Sequence, residues 1–175
     1  MTNALLPGSD VRRDVTSHRQ GHHPGAWRLA ACILVTLGSG LLIGLTTRPG
    51  DWYAGLDKAP LNPPSSVFGP VWTVLYVMIA VAAYLAWTAP VDTSVRPAAS
   101  AYVGQLVLNL GWSLIFFGAQ RPGWALAEIL LLLAAVIATM VLFARRRRAA
   151  AWLLVPYVLW VAFATYLTAS IVILN

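Results

Sequence analysis

Five long apolar segments follow one another along the chain, with shorter polar stretches between them. Each is about 20 residues long, which is the length that a helix needs to cross the hydrocarbon core of a bilayer. The pattern therefore predicts an all-α integral membrane protein, built as a bundle of five transmembrane helices. The predicted spans are residues 29–47, 70–89, 98–118, 123–143 and 151–174.

A polar stretch precedes the first span. Residues 1–26 are rich in Gly, Pro, Ser, Arg and His, a composition that buries too little apolar surface to fold and predicts a disordered tail. The segment that follows is a full span after a long polar tail, whereas the apolar region of a signal peptide is shorter and lies near the N-terminus. We therefore predict a tail over 1–26 and one membrane domain over 27–175.

The connection after the first span is unusual because it combines prolines with aromatic residues. Residues 52–76 read WYAGLDKAPLNPPSSVFGPVWTVLY. Pro60, Pro63 and Pro64 each lack a backbone N–H and bias the preceding residue towards extended geometry, which predicts a loop and not a helix. Long loops without secondary structure are usually functional or disordered, and these apolar side chains favour a function. We expect 52–68 to cap a pocket, as a loop between the first two transmembrane helices.

Composition supports the membrane assignment. The chain is 59% hydrophobic and only 10% charged, whereas about 25% of the residues in soluble domains are charged. A soluble globule is therefore excluded. The lipid bilayer is the expected partner of most of the surface.

Basic residues are unevenly distributed between the two predicted membrane faces. Nine of the 12 Lys and Arg residues fall on the side of the tail, and Arg48, Lys58 and Arg121 fall on the other. Since cytoplasmic segments carry the excess of Lys and Arg, we expect a bacterial cell membrane protein with a cytoplasmic N-terminus. This bias accounts for the net charge of +6. Nucleic-acid binding is not indicated, because the chain has no basic stripe on a soluble face.

Polar side chains within the third span share one helical face. Gln105, Asn109 and Trp112 lie at positions i, i+4 and i+7. Two amides in hydrocarbon need partners, so they are expected to face the interior of the bundle. Hydrogen bonding between helices is one interpretation, and a pair of polar anchors in an apolar ligand cavity is the other.

Two further features leave two interpretations each, and a third favours a ligand. Gly40 and Gly44 in the first span indicate close helix packing, within the bundle or across a dimer. Glu128 is the only acidic residue in any predicted span, which suggests a functional group, although the start of its helix would also stabilise the carboxylate. Trp160 in the fifth span shares a face with Ala164, whose small side chain leaves space beside the indole that suits a flat ligand.

The chain lacks the residues that most catalytic chemistry needs. No histidine lies in a span, which excludes axial histidine ligation of a buried haem. No metal-ligand spacing, catalytic triad, paired carboxylates or phosphate-binding loop is present, so no metal site is expected. The single cysteine, Cys32, excludes an intramolecular disulfide.

Three stretches carry a resemblance to a known family. They are WYAGLDKAPLNPPSSVFGPVWTVLY, YVGQLVLNLGWSLIFFGAQRPGWALAEILLL and LVPYVLWVAFATYL. They are similar to the TspO/MBR family, the tryptophan-rich sensory and translocator proteins once called peripheral benzodiazepine receptors, from about residue 29 to the end. The resemblance implies five transmembrane helices, a homodimer, no required cofactor, and porphyrins such as protoporphyrin IX or haem as ligands.

The resemblance also implies a ligand pocket under the first loop. Its family residues fall on Trp52, Tyr53, Trp72, Tyr76, Asn109, Trp112, Trp124, Trp160, Ala164 and Leu167. The patterns described above add Pro64, Phe68, Gln105 and Glu128 to this candidate set. The chain departs from the family at Tyr166, which no Lys or Arg follows, and this argues against sterol binding by the family's C-terminal motif. It departs again at Thr168, where the family usually has asparagine.

Three functions follow as hypotheses. The first is a membrane binding or sensory protein for tetrapyrroles and related flat hydrophobic ligands, which regulates or transports them. The alternative is an enzyme that degrades porphyrins with light and oxygen; no catalytic residue is firm, and Trp52 and Trp160 are the candidate redox-active indoles. A dedicated transporter is the third, and the chain shows neither the internal repeat nor the broken helix pair of many transporter folds.

Overall fold

The computed structural model describes residues 24–47, 50–90 and 94–175 of the chain. All of the secondary structure in these ranges is helical, and five helices are long and apolar enough to cross a membrane. The predicted all-α fold with five spanning helices is therefore confirmed. The helices are α1 (Pro24–Thr46), α2 (Asp51–Ala54), α3 (Ser65–Trp87), α4 (Arg96–Ser113), α5 (Pro122–Arg146) and α6 (Arg148–Leu174); a π-helical segment, Leu114–Gly118, continues α4.

The helix ends differ from the apolar segments by a few residues. α3 begins at Ser65, directly after Pro64, so the predicted start at residue 70 is late. Pro70 lies inside the helix, where its missing N–H removes only the bond to the carbonyl of residue 66. The predicted tail lies outside the described residues except for 24–26, which begin α1.

The long helices form a ring around a shared interior. α6 packs extensively against α5 and also against α3, while α4 packs against α5 and α1 packs against α3. The ring closes where α1 meets α4, and this contact is much smaller than the others. On α3, Ala80, Ala82, Ala83 and Ala86 are completely buried, and such small side chains let neighbouring helix backbones approach.

Hydroxyl groups connect α1 to α4 at two levels. The hydroxyl groups of Thr36 and Tyr102 lie 2.5 Å apart, and those of Thr47 and Ser113 lie 2.7 Å apart. Thr36 is fully buried. These two hydrogen bonds hold α1 at a boundary where apolar packing is sparse.

The loop between α1 and α3 is ordered by its own side chains. Tyr53 packs edge-on against Phe116 and Phe117 of the π-helical segment, with ring centroids 6.2 and 5.6 Å apart. Its hydroxyl donates to Asn62 Oδ1 at 3.0 Å. Burial raises the pKa of Tyr53, and the hydrogen bond to Asn62 partly offsets that rise. The Lys58 ammonium lies 4.9 Å from the centre of the same ring, so this part of the loop is a compact unit.

A pair of hydrogen bonds ties this loop to the end of α6. The Asp57 amide donates to Asn175 Oδ1 at 3.0 Å. Asn175 Nδ2 donates in return to the Asp57 carbonyl at 3.1 Å and to the Ile171 carbonyl at 3.0 Å. The asparagine amide therefore pairs with the backbone of Asp57 much as a neighbouring strand would.

Candidate functional site

A cavity of about 740 Å³ lies between α1, α3 and α4. Its size falls within the roughly 300–1,000 Å³ of small-molecule sites. Its described lining carries no charged side chain and is mostly apolar. The lining residues are Ile33, Leu34, Leu37, Gly38, Gly40, Leu41, Ile43, Gly44 and Thr47 of α1 and its end, Ser65, Phe68, Gly69, Trp72, Thr73 and Tyr76 of α3, and Asn109, Trp112, Ser113 and Phe117 of α4 and its π-helical continuation.

Aromatic rings form two sides of the cavity. On α3, Trp72 stacks on Tyr76 with ring centroids 5.4 Å apart and an angle of 28° between the planes. On α4, Trp112 stacks on Phe116 at 5.4 Å and 23°. Because stacked neighbours fix these rings, the cavity presents flat, preformed surfaces, which suit a flat apolar ligand.

Glycines of α1 shape the third side. Gly44 faces open space, since no heavy atom lies within 4 Å of an added Cβ. A Cβ at Gly40 would overlap the ring of Tyr76. Gly40 therefore serves close packing within one chain, and Gly44 keeps the cavity open.

The cavity opens sideways, between α1 and α3. Leu34 and Leu41 on the α1 edge are 72% and 63% exposed, and Ser65, Gly69 and Thr73 on the α3 edge are exposed as well. These edge residues lie within two helices that are long and apolar enough to cross a membrane. In a bilayer the mouth would therefore face lipid.

A chain of hydrogen bonds lies behind the aromatic wall. The Tyr76 hydroxyl donates to Asn109 Oδ1 at 2.7 Å. Asn109 Nδ2 donates to the Tyr157 hydroxyl at 3.2 Å, and that hydroxyl donates to Gln105 Oε1 at 2.8 Å. Both amides of the third span thus bond between helices. Asn109 also lines the cavity and Gln105 does not.

Several buried polar atoms have no hydrogen-bond partner within the described residues. They are Gln105 Nε2, Trp112 Nε1, Trp160 Nε1 and the two carboxylate oxygens of Glu128. Glu128 Oε1 would lie 3.5 Å from a Cβ added at Gly111, so this carboxylate faces α4. Of these four side chains, Trp112 lines the cavity.

The structure brings together part of the predicted site set. Phe68, Trp72, Tyr76, Asn109 and Trp112 line the cavity. Nine residues lie elsewhere: Trp52, Tyr53, Pro64, Gln105, Trp124, Glu128, Trp160, Ala164 and Leu167.

Three of these nine belong to the loop or its end. Trp52 packs edge-on against Phe116, with ring centroids 5.7 Å apart, and Tyr53 packs beside it as described above. Pro64 is exposed at the start of α3. The described part of the loop, residues 50–64, therefore covers the π-helical end of α4, and none of these residues lines the cavity.

Others lie behind the cavity or face outward. Trp160 packs edge-on against the back of Phe68, at 6.0 Å between ring centroids, and Ala164 and Leu167 are buried on the same helix. Trp124 is 74% exposed on the outer surface of α5. The predicted aromatic set, which combined spacing with the family resemblance, is thus divided between a cavity, a second layer and the outer surface.

Sequence reasoning missed several residues of this site. Tyr157 is the centre of the hydrogen-bond chain, and it lies three residues before Trp160, on a face that the spacing had already marked. Thr47, Ser113 and Phe117 line the cavity, and Ser113 directly follows Trp112. The sequence offered no comparable signal for the apolar residues of α1, because all sides of that helix are apolar.

Comparison with known proteins identifies the family of this chain. The model of the TspO/MBR family matches residues 31–174, which is most of the chain. The chain belongs to the TspO/MBR family. With its five spanning helices, it is an integral membrane protein.

Individual relatives cover most of the membrane domain. The chain is 44% identical over 119 residues to the human translocator protein, covering 66% of this chain and 70% of that protein. It is 42% identical over 150 residues to the tryptophan-rich protein TspO of Chlorobaculum tepidum, covering 84% and 95%. It is also similar to the tryptophan-rich sensory protein of Cereibacter sphaeroides, at 35% identity over 149 residues, covering 85% and 92%.

Proposed function

We propose that this protein binds tetrapyrroles, porphyrins such as protoporphyrin IX, and related flat hydrophobic ligands in the cavity between α1, α3 and α4. It would act as a membrane receptor or sensor that regulates or transports them. The observation that carries the proposal is the cavity itself, about 740 Å³ in volume, with stacked aromatic rings on two sides and an opening towards lipid. Sparingly soluble flat molecules partition into bilayers, so a lateral mouth suits them.

The chemistry of the lining supports a flat and largely apolar ligand. Stacking on Trp72 would contribute about 0.5–1.5 kcal/mol beyond area burial. Asn109 offers an amide next to that ring, within the hydrogen-bond chain. Ionised propionates would lie at the Ser65 end of the cavity, where α3 begins and water is nearest, because neither this lining nor lipid tails would balance an unpaired charge. The names of the relatives, translocator and tryptophan-rich sensory protein, agree with a role in sensing or moving a ligand.

The experiment is a titration of protein in lipid nanodiscs with protoporphyrin IX, in the dark, followed by tryptophan fluorescence and by the Soret band. Wild type should show saturable quenching and a stable shifted band. Gly44→Phe should weaken binding at least tenfold, since the new ring would occupy the open space beside residue 44. Gly123→Phe is the matched control, because an added Cβ there also meets open space and the residue does not line the cavity. Unchanged affinity in Gly44→Phe would place the ligand elsewhere.

Illumination separates this proposal from the enzymatic alternative. A binding protein should leave the porphyrin spectrum stable in light, relative to free porphyrin. Bleaching that exceeds that of free porphyrin, and slows in Trp52→Phe or Trp160→Phe, would instead favour photodegradation. Neither indole lines the cavity. Trp160 packs on Phe68, which lines it, and Trp52 packs on Phe116, which in turn stacks on the lining residue Trp112.

A further inference from the structure

A second cavity, of about 520 Å³, lies at the opposite end of the bundle from the loop after α1. Its described lining combines the start of α1, the end of α3, the residue before α4 and the end of α5. It shares no described residue with the cavity between α1, α3 and α4. The two are separate, since Tyr84 of the second lies about 12 Å along α3 from Tyr76 of the first. The lining residues of the second cavity are Arg28, Tyr84, Trp87, Thr88, Val95 and Arg146.

Two arginines give this second cavity a positive charge. Arg28 lies near the start of α1, and its side chain is exposed. Arg146 is held at the end of α3, because its Nε donates to the Ala86 carbonyl at 2.7 Å. The described lining contains no acidic side chain. A guanidinium carries five N–H donors in a planar fork that matches the oxygens of a phosphate, so this cavity suits a phosphate group.

Tryptophans place the second cavity at the level of lipid headgroups. Trp87, the last residue of α3, lines it, and the ring of Tyr102 packs edge-on against that indole at 5.0 Å between ring centroids. Trp27 and Trp152 lie near the starts of α1 and α6, on the same side of the bundle, and both are strongly exposed. Because tryptophan is enriched where a bilayer meets water, the phosphate groups of the adjacent leaflet should lie at the height of this cavity.

An apolar strip on α1 leads from the second cavity towards the centre of the bilayer. Val35 and Leu42 follow Arg28 at positions i+7 and i+14, which places all three on one side of the helix. Both apolar side chains are exposed, and neither lines the cavity between α1, α3 and α4. A cation at headgroup level is thus followed by apolar surface at the depth of lipid tails. A phospholipid has the same order of groups, whereas a soluble phosphate lacks the apolar part.

We propose that the second cavity binds the phosphate group of an anionic phospholipid, held by Arg28 and Arg146. Trp87 would pack beside the glycerol region, and an acyl chain would follow the strip that begins at Val35. A zwitterionic lipid is disfavoured, because its positively charged headgroup would meet two like charges. This site does not depend on the proposed tetrapyrrole function.

The test is native mass spectrometry of the full chain released from a non-ionic detergent, which measures the affinity for the first bound lipid. Wild type should bind phosphatidylglycerol at least roughly 5-fold more tightly than phosphatidylcholine with the same acyl chains. Arg28→Gln should weaken phosphatidylglycerol by roughly 5-fold, the effect of one basic residue near an anionic headgroup. It should not weaken phosphatidylcholine. The thermal unfolding of Arg28→Gln should match wild type, since the side chain is exposed.

Arg148→Gln is the matched control for charge. It removes one positive charge from the same side of the bundle, at an exposed residue that does not line the second cavity, and it should leave the affinity for phosphatidylglycerol nearly unchanged. Equal weakening in Arg28→Gln and Arg148→Gln would show general attraction to a basic surface and would overturn the site. Equal affinity of wild type for the two lipids would overturn it as well.

Two further arms identify where the lipid binds and what the site takes. Gly44→Phe, which fills space in the cavity between α1, α3 and α4, should leave phosphatidylglycerol binding unchanged, and a loss there would place the lipid in that cavity instead. Inorganic phosphate at millimolar concentration should not displace phosphatidylglycerol from wild type. Displacement would assign the site to a soluble phosphate and overturn the lipid assignment.

Discussion

At the scale of single residues, Gly40 makes the clearest demand on side-chain size. An added Cβ would overlap the ring of Tyr76, and that ring is fixed by stacking on Trp72 and by its hydroxyl donating to Asn109. Gly40→Ala should therefore push α1 away from α3 and destabilise the protein by about 1–3 kcal/mol, the usual cost of overpacking. Thermal unfolding in detergent measures the change.

Gly38→Ala is the matched control for that substitution. It lies half a turn away on the same helix, and an added Cβ meets no heavy atom within 4 Å. Because alanine favours a helix over glycine by up to about 1 kcal/mol, this variant should be as stable as wild type or more so. Similar destabilisation by both alanines would show that the contact with Tyr76 is not the cause.

Tyr157 is the second residue whose loss should be costly. Its hydroxyl accepts from Asn109 Nδ2 and donates to Gln105 Oε1, and it is almost completely buried. Tyr157→Phe leaves both amides without that partner, which should destabilise the fold by about 1–3 kcal/mol. Urea or thermal unfolding of Tyr157→Phe beside Tyr166→Phe tests this, since Tyr166 is 44% exposed. A loss as large in Tyr166→Phe would contradict the assigned hydrogen bonds.

Residue spacing predicted which side chains share a face but not what that face meets. Asn109 and Trp112 could be found because amides in hydrocarbon must face inward, and both line the cavity. Trp124 could not be placed in the same way. Lipid tails are as apolar as a protein interior, so an indole in a span can face either lipid or the interior of the bundle. The Trp124 side chain is 74% exposed.

At the scale of elements, apolar segments predicted the five long helices but not where they begin. α6 starts at Arg148 and α3 at Ser65, before the apolar residues on which the prediction depended, because polar residues can form the first turn of a helix outside the hydrocarbon. The π-helical segment Leu114–Gly118 had no sequence signal. It directs Phe116 and Phe117 towards Tyr53. The packing of the loop on α4 therefore depends on this π-helical segment.

The attachment of that loop to α6 leads to a further prediction. Asn175 forms two hydrogen bonds with the backbone of Asp57. Asn175→Ala removes both, and the Asp57 amide should then exchange with deuterium roughly 5- to 10-fold faster, because opening of the loop at this point becomes easier. Hydrogen exchange with mass spectrometry, on a peptide covering 55–60, measures it.

Ser170→Ala is the control for the loop attachment. The Ser170 hydroxyl bonds within its own helix, to the Tyr166 carbonyl at 2.8 Å, so its loss should leave exchange at Asp57 unchanged. Wild-type exchange in Asn175→Ala would mean that the packing of Tyr53 alone holds the loop in place.

At the scale of the whole molecule, the order of helices around the ring could not be predicted from one sequence. Five helices of nearly uniform apolarity can pack in several orders, and α1 in particular has no strongly polar side. The structure resolves this with two hydroxyl pairs, Thr36 with Tyr102 and Thr47 with Ser113, which hold α1 against α4. The cavity follows from this arrangement, since α1 is hydrogen-bonded at two levels to α4 but packs only lightly on it.

The sequence predicts the orientation of the protein in the membrane, and the fold provides exposed positions at which to test it. Five spans place the loop after α1 and the connection between α5 and α6 on opposite sides. The arginine excess predicts that Arg147 faces the cytoplasm and Leu61 faces outward.

Both residues are exposed, so single cysteines there can be labelled once Cys32, the only native cysteine, is replaced by alanine. In intact bacterial cells, a membrane-impermeant maleimide should label Leu61→Cys at once and Arg147→Cys only after permeabilisation. The reverse pattern would place the N-terminus outside and would mean that the arginine bias does not set the orientation of this chain.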